Sequence, residues 1–166
     1  MSRDFATDGD EKPKVKKAKG FQISLKGRAL RLLSMREHSR QELERKLKAF
    51  EETPGELAQA LDFLAAKDFI NERRLVESVV NRRQLKLGAS RVRQELQAKG
   101  LPVEAISEAV QAMRSTEFER AREVWRKKFS EPPEDQAARA KQIRFLVSRG
   151  FAPEVVKRVV AGAEDV

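Results

Sequence analysis

The chain has 166 residues and a mass of 18.9 kDa, which is room for one ordinary domain or a row of small ones but not for a large multidomain enzyme. Charged residues make up 37% and hydrophobic ones 40%, so the surface is large for the core beneath it, and a net charge of +9 with a pI near 10.0 favours an anionic partner, nucleic acid first among them. The lack of cysteine excludes disulfides and thiolate chemistry, and no apolar run approaches a membrane span or secretion signal, so a cytoplasmic protein without membrane contact is expected.

Residues 1–22 mix Asp, Gly, Lys and Pro with few apolar residues and read as a disordered basic tail. From about residue 24 the pattern is helical. Leu43, Leu47 and Phe50, and then Leu57, Leu61 and Leu64, fall at the spacing of one helix face. Ser39 with Glu42, Thr53 with Glu56 and Thr116 with Glu119 each fit a capping box. Pro54, Pro102 and Pro153 suit first turns, and Gly88, Gly100 and Gly150 suit helix stops. Nine helices are predicted, at about 25–35, 39–51, 54–67, 71–86, 90–99, 102–113, 117–129, 134–149 and 153–162. No alternating strand pattern interrupts them.

The helices repeat. At a spacing of about 50 residues Leu96 aligns with Leu146, Lys99 with Arg149, Gly100 with Gly150 and Ile106 with Val156, while Leu43 and Leu47 align with Val92 and Leu96. The predicted fold is therefore all-α: three tandem three-helix repeats, over 23–86, 87–130 and 131–166, stacked into an elongated, curved array. The segment EPPED, 131–135, is the expected linker and a plausible hinge.

Catalysis has little support. His38 is the single histidine and is expected on the surface at a helix end, with no second ligand to form a metal set. The carboxylates fall at cap and linker positions, and no phosphate-binding glycine loop is present. No cofactor or metal is expected, and the chain is read as a non-enzyme.

Charge is unevenly placed. Segment 73–99 has eight basic residues against two acids, whereas 49–72 has one lysine against six acids. Stacked repeats would align such basic helices along one face, where Arg82, Lys86, Arg91 and Arg93 are the candidates from charge alone; arginines at helical spacing also suit a merely solvated face. With no tyrosine and one tryptophan, Trp125, stacking platforms for single strands are scarce. Trp125 and the phenylalanines at 69, 118, 129, 145 and 151 are expected in the core.

Four stretches carry a likeness to a known family: REHSRQELERKL (36–47), LDFLAAKDFINERRL (61–75) with the downstream Arg83, KLGASRVRQELQAKGL (86–101) and RFLVSRGFAPEVVKRVV (144–160). In their order and spacing the chain resembles the bacterial RecX family, regulators of the RecA recombinase. It departs from the family pattern at Glu72 and Leu75-Val76, and matches loosely around Trp125. The resemblance implies a modulator that lies in the groove of the RecA filament on single-stranded DNA and limits its growth, ATP hydrolysis and strand exchange, in recombination, repair and the SOS response. It implies Arg83, Lys99 and Arg149 as contacts, with RecA and single-stranded DNA, and more weakly duplex DNA, as partners of a monomer. The alternative from the residues themselves is a stand-alone DNA binder built of helix-turn-helix-like bundles.

Overall fold

The structure, a computed structural model, describes residues 21–162; the predicted tail lies, up to residue 20, outside the described residues. Among them the helices are α1 (Leu25–Met35), α2 (Arg40–Leu47), α3 (Glu56–Ala66), α4 (Glu72–Arg83), α5 (Ala89–Ala98), α6 (Val103–Arg114), α7 (Glu117–Lys128), α8 (Gln136–Ser148) and α9 (Pro153–Val160), with a 3-10 turn at Lys48–Phe50 and no strand.

Short polar side chains start four of them. Ser24 accepts the Gly27 N–H at 3.1 Å, Asn71 that of Arg74 at 2.9 Å and Asp135 that of Ala138 at 2.7 Å, each satisfying an otherwise orphaned amide of a first turn. Of the three predicted capping boxes only Ser39–Glu42 closes, with Glu42 N–H donating to Ser39 Oγ at 3.0 Å and Ser39 N–H to the Glu42 carboxylate at 2.8 Å. Instead of a Thr53 cap, α3 is entered through Gly55 at φ 87°. The Thr116 hydroxyl turns back to donate to the Met113 carbonyl at 3.3 Å. Gly100 and Gly150 end α5 and α8 with φ of 72° and 87°, in the left-handed region that favours glycine.

Each helix triplet encloses its own core. In the first, Leu25, Ala29, Leu43, Leu47, Leu57, Leu61 and Leu64 come together from α1–α3. The second joins Leu75 and Val79 of α4 to Val92, Leu96, Ile106 and Val110 of α5 and α6. The third gathers Phe118, Ala121, Leu146, Phe151, Val156 and Val160 from α7–α9. Nine, nine and seven buried residues, at roughly 1.5–3 kcal/mol per large side chain, make cores too small to ignore their neighbours.

The repeat period is as expected but its origin differs. α4 gives its apolar face to the second core and not to the first, and α7 lies in the third core, so the units run α1–α3, α4–α6 and α7–α9 rather than over 23–86, 87–130 and 131–166. EPPED accordingly lies inside the third unit and is no boundary. Gln142 Nε2 donates to the Glu131 carbonyl at 3.2 Å while its oxygen accepts Trp125 Nε1–H at 2.8 Å, which ties the expected hinge to the unit it belongs to. Phe50 and Phe69, expected inside, are exposed, the first because the 3-10 turn rotates it off the α2 stripe.

Neighbouring units meet at equivalent places: the turn after the second helix of one unit sits on the N-terminus of the second helix of the unit before. Between the first and second units this joint is made by side chains. Lys99 Nζ lies 3.0 Å from Glu42 Oε1 and Arg74 Nε 2.9 Å from Glu37 Oε1. Between the second and third it is made by the main chain. Gly88 N–H donates to the Arg149 carbonyl at 2.8 Å and Ser90 N–H to that of Gly150 at 3.3 Å. Glu117 of α7 adds its carboxylate, accepting Ala89 N–H at 2.8 Å and Ala152 N–H at 3.4 Å. A Cβ on Gly88 would overlap the Gly150 carbonyl, so Gly88, predicted as a helix stop, instead opens α5 and lets two backbones touch.

Candidate nucleic-acid interface

The C-terminal turn of α4, the loop 84–88 and the first turns of α5 form an open groove of about 440 Å³ lined by Arg83, Leu87, Arg91, Gln94 and Glu95. Each arginine arrives there by helical register. Arg83 closes α4 four residues beyond the buried Val79, and Arg91 lies one residue before the buried Val92, so both flank core positions while projecting outward. Glu95 organises the floor: Arg83 Nε donates to it at 2.9 Å and Arg82 Nη2 at 3.3 Å. One carboxylate thus holds two guanidiniums in place, and Lys86 and Arg91 stand exposed beside them.

The loop is fixed from the next unit. Arg120 of α7 reaches under it and donates from Nη1 to the carbonyls of Gln84 at 3.0 Å and Leu87 at 2.8 Å, and from Nη2 to that of Met113 at 2.7 Å. One planar fork thus ties two carbonyls of the turn to the end of α6. Nothing in the sequence distinguishes Arg120 from the outward basic residues around it, because its role depends on α7 crossing beneath the loop. Glu95 and Glu117 were invisible for the same reason.

The remaining predicted residues divide. Arg149 is exposed near the groove, on the turn that receives Gly88, and its guanidinium carbon lies 5.0 Å from the Phe145 ring centroid. Arg93 is half-buried and does not line the groove. Lys99 points the other way altogether. Its side chain is 13% exposed and paired with Glu42, which Arg36 also holds at 3.0 Å, so the structure gives it a joint to hold rather than a surface to present.

Burial acts to raise the Glu42 pKa, but hydrogen bonds from Arg36, the Ser39 amide and Lys99 prevail and hold it at about 2 instead of 4.5. Next to it His38 is only 2% exposed, in contrast to the expected surface position. Its Nδ1 lies 2.9 Å from the Arg36 carbonyl, which can only accept, so the proton is on Nδ1 and Nε2 faces Lys46 Nζ at 3.4 Å. Burial above all, and then the charges of Arg36 and Lys46, lower its pKa. Among the described residues no cluster of His, Asp or Glu stands together to hold a metal, and no helix is long and apolar enough to cross a membrane.

Three tandem three-helix units, joined end to end and carrying an arginine-lined groove on the middle one, define a class of helical-repeat protein. Family models agree unit by unit: the first, second and third three-helix domains of RecX match residues 26–67, 71–110 and 115–160. A curated relative from Leptothrix cholodnii, named Regulatory protein RecX, is 50% identical over 143 residues, covering 86% of this chain and 91% of its own. A second of that name, from Ralstonia nicotianae, is 44% identical over 142 residues, covering 86% and 89%. The crystal structure of RecX from Lactobacillus salivarius superimposes with a TM-score of 0.69 at 19% identity, over 83% of this chain and 93% of that one. The chain belongs to the RecX family of regulatory proteins, and the unit boundaries of the family agree with the three cores.

Proposed function

We propose that this chain regulates the RecA recombinase without catalysing a reaction: it binds RecA filaments on single-stranded DNA and restrains their growth and stability, so that ATP hydrolysis and strand exchange fall. Family membership supports the partner. The groove supports the contact with DNA, and it is the observation that carries this reading, since Arg83 and Arg91 line it, Arg82 shares the Glu95 carboxylate with Arg83, and Lys86 is exposed on the loop between the two helices. Guanidiniums held at fixed positions suit a backbone of regularly spaced phosphates, which needs charge in register and no base recognition. Arg149 extends the cationic surface across the second joint, and Arg93 adds to the field from the flank.

The test is to add the protein to RecA assembled on single-stranded DNA and follow ATP hydrolysis. Dose-dependent inhibition is expected, reduced by Arg83→Glu with Arg91→Glu. No inhibition at any ratio overturns the proposal, and a thousandfold preference for one duplex sequence would point to a stand-alone DNA binder instead.

A further inference from the structure

The first unit carries a surface that the groove leaves unused. Phe63 of α3 is 44% exposed and Leu30 of α1 36% exposed, although both sit on helices whose opposite faces build the first core. Lys26 places its ammonium 3.8 Å from the Phe63 ring centroid, and Lys67 comes within 5.9 Å of the same ring. Leu30 follows Lys26 by one turn on α1, so the four side chains share one face. Beyond it Arg28 covers Phe50, 46% exposed, at 3.9 Å from the ring centroid.

The chemistry of this face is that of a protein contact and not of a nucleic-acid one. A nucleobase binds an aromatic ring by stacking on its flat side, and on Phe63 and Phe50 a cation already lies over the ring. An incoming base has to displace it. An anion of either kind pairs with the ammonium where it stands, but the exposed Leu30 and Phe63 beside it offer an apolar side chain a contact that a phosphodiester cannot use. Glu51, Glu52 and Glu56 line the adjoining cleft with Phe50, so an acidic partner has to lie on the Lys26 and Lys67 side of this face and not in the cleft.

We propose that Lys26, Leu30, Phe63 and Lys67 form a docking face for an acidic protein segment, whose carboxylates pair with the two ammoniums and whose apolar side chain packs against Leu30 and the edge of Phe63. The two ends of the molecule then divide the work, the second unit meeting polynucleotide and the first meeting protein. Placing the acidic segment on the recombinase rests on the function proposed above.

The test uses the full chain, labelled, with RecA in the absence of DNA, and in parallel with a single-stranded oligonucleotide. Two variant pairs are compared: Leu30→Ser with Phe63→Ser, and Lys26→Glu with Lys67→Glu. Each is expected to lower affinity for RecA at least tenfold, on the scale of losing an apolar anchor, while the uncharged pair keeps its oligonucleotide affinity within about twofold. Should the serine pair lose helical content, the lysine pair, at exposed positions, decides the matter. Unchanged affinity for RecA, no measurable affinity of the wild type for DNA-free RecA, or a matching loss of oligonucleotide binding by the serine pair overturns the proposal. If the wild type inhibits ATP hydrolysis and the variants inhibit equally, the docking face fails while the proposed function stands. A wild type that binds RecA through this face without inhibiting it reverses that outcome.

Discussion

Glu42→Gln tests the carboxylate that Arg36 and Ser39 hold within the first unit and Lys99 holds across the first joint. The substitution keeps an oxygen to accept the Ser39 amide but removes the negative charge that Arg36 and Lys99 share at 3.0 Å each. In the native protein the carboxyl titrates at about 2 instead of 4.5, and a shift of that size corresponds to about 3 kcal/mol of stability. The folded pKa lies below the unfolded one, so this stability is fully present above pH 4.5 and is lost as the pH falls toward 2. At pH 7 the variant should be less stable by about 3 kcal/mol, a fall in Tm of roughly 6–12 °C for a chain of this size. Urea unfolding followed by circular dichroism at pH 7, 5 and 3 measures it. Other carboxyls titrate alike in both proteins, so the gap between them reports on Glu42 and should narrow across this range. Equal stability at pH 7, or a gap that stays constant with pH, would refute the stabilising role given to this charge.

Gly88→Val should separate the second and third units, because its side chain has to enter the space of the Gly150 carbonyl; helical content should persist while small-angle scattering shows a changed shape, and an unaltered profile would count against the backbone contact. Reversing Arg83 and Arg91 should reduce the salt slope of single-strand binding by about 1.4, at roughly 0.7 per phosphate contact, whereas Lys99→Met should leave that slope unaltered and lower the Tm instead. His38→Gln should flatten the pH dependence of stability just below pH 6.5: the folded pKa is depressed below that value, so the native protein loses stability as pH falls through the folded pKa, and an identical pH profile in the variant would show that His38 is not held neutral.

Helix positions were legible because they depend on local chemistry. Leu43, Leu47, Leu96 and Leu146, expected in the core, are all buried, and the stops at Gly100 and Gly150 follow from the left-handed backbone that glycine tolerates. The repeat period was legible for the same reason. Its origin was not, since a periodic pattern reads the same wherever it is cut, and only packing decides that Leu75 and Val79 face forward to α5 and α6. The site was half legible. Arg91 emerges from local charge and Arg83 from the family likeness, but no one-dimensional signal separates an arginine that faces solvent from Arg120, which grips a loop, or an exposed lysine from Lys99, which is committed to Glu42. Distances of 36 and 57 residues along the chain divide those partners.

The two joints differ in kind, and compliance should therefore be graded along the array. A seam stitched by amides and carbonyls resists shear at several points at once, whereas one closed through two ion pairs on flexible side chains gives way more readily. Torque between the ends would be taken up ahead of α4, leaving the last two units to travel as one stiff cradle behind a swinging arm. Spin labels spanning each joint would register this as a broader distance distribution at the first, and equal widths would deny it. A body with one soft point adjusts to helical tracks of differing pitch without remodelling the surface that grips them.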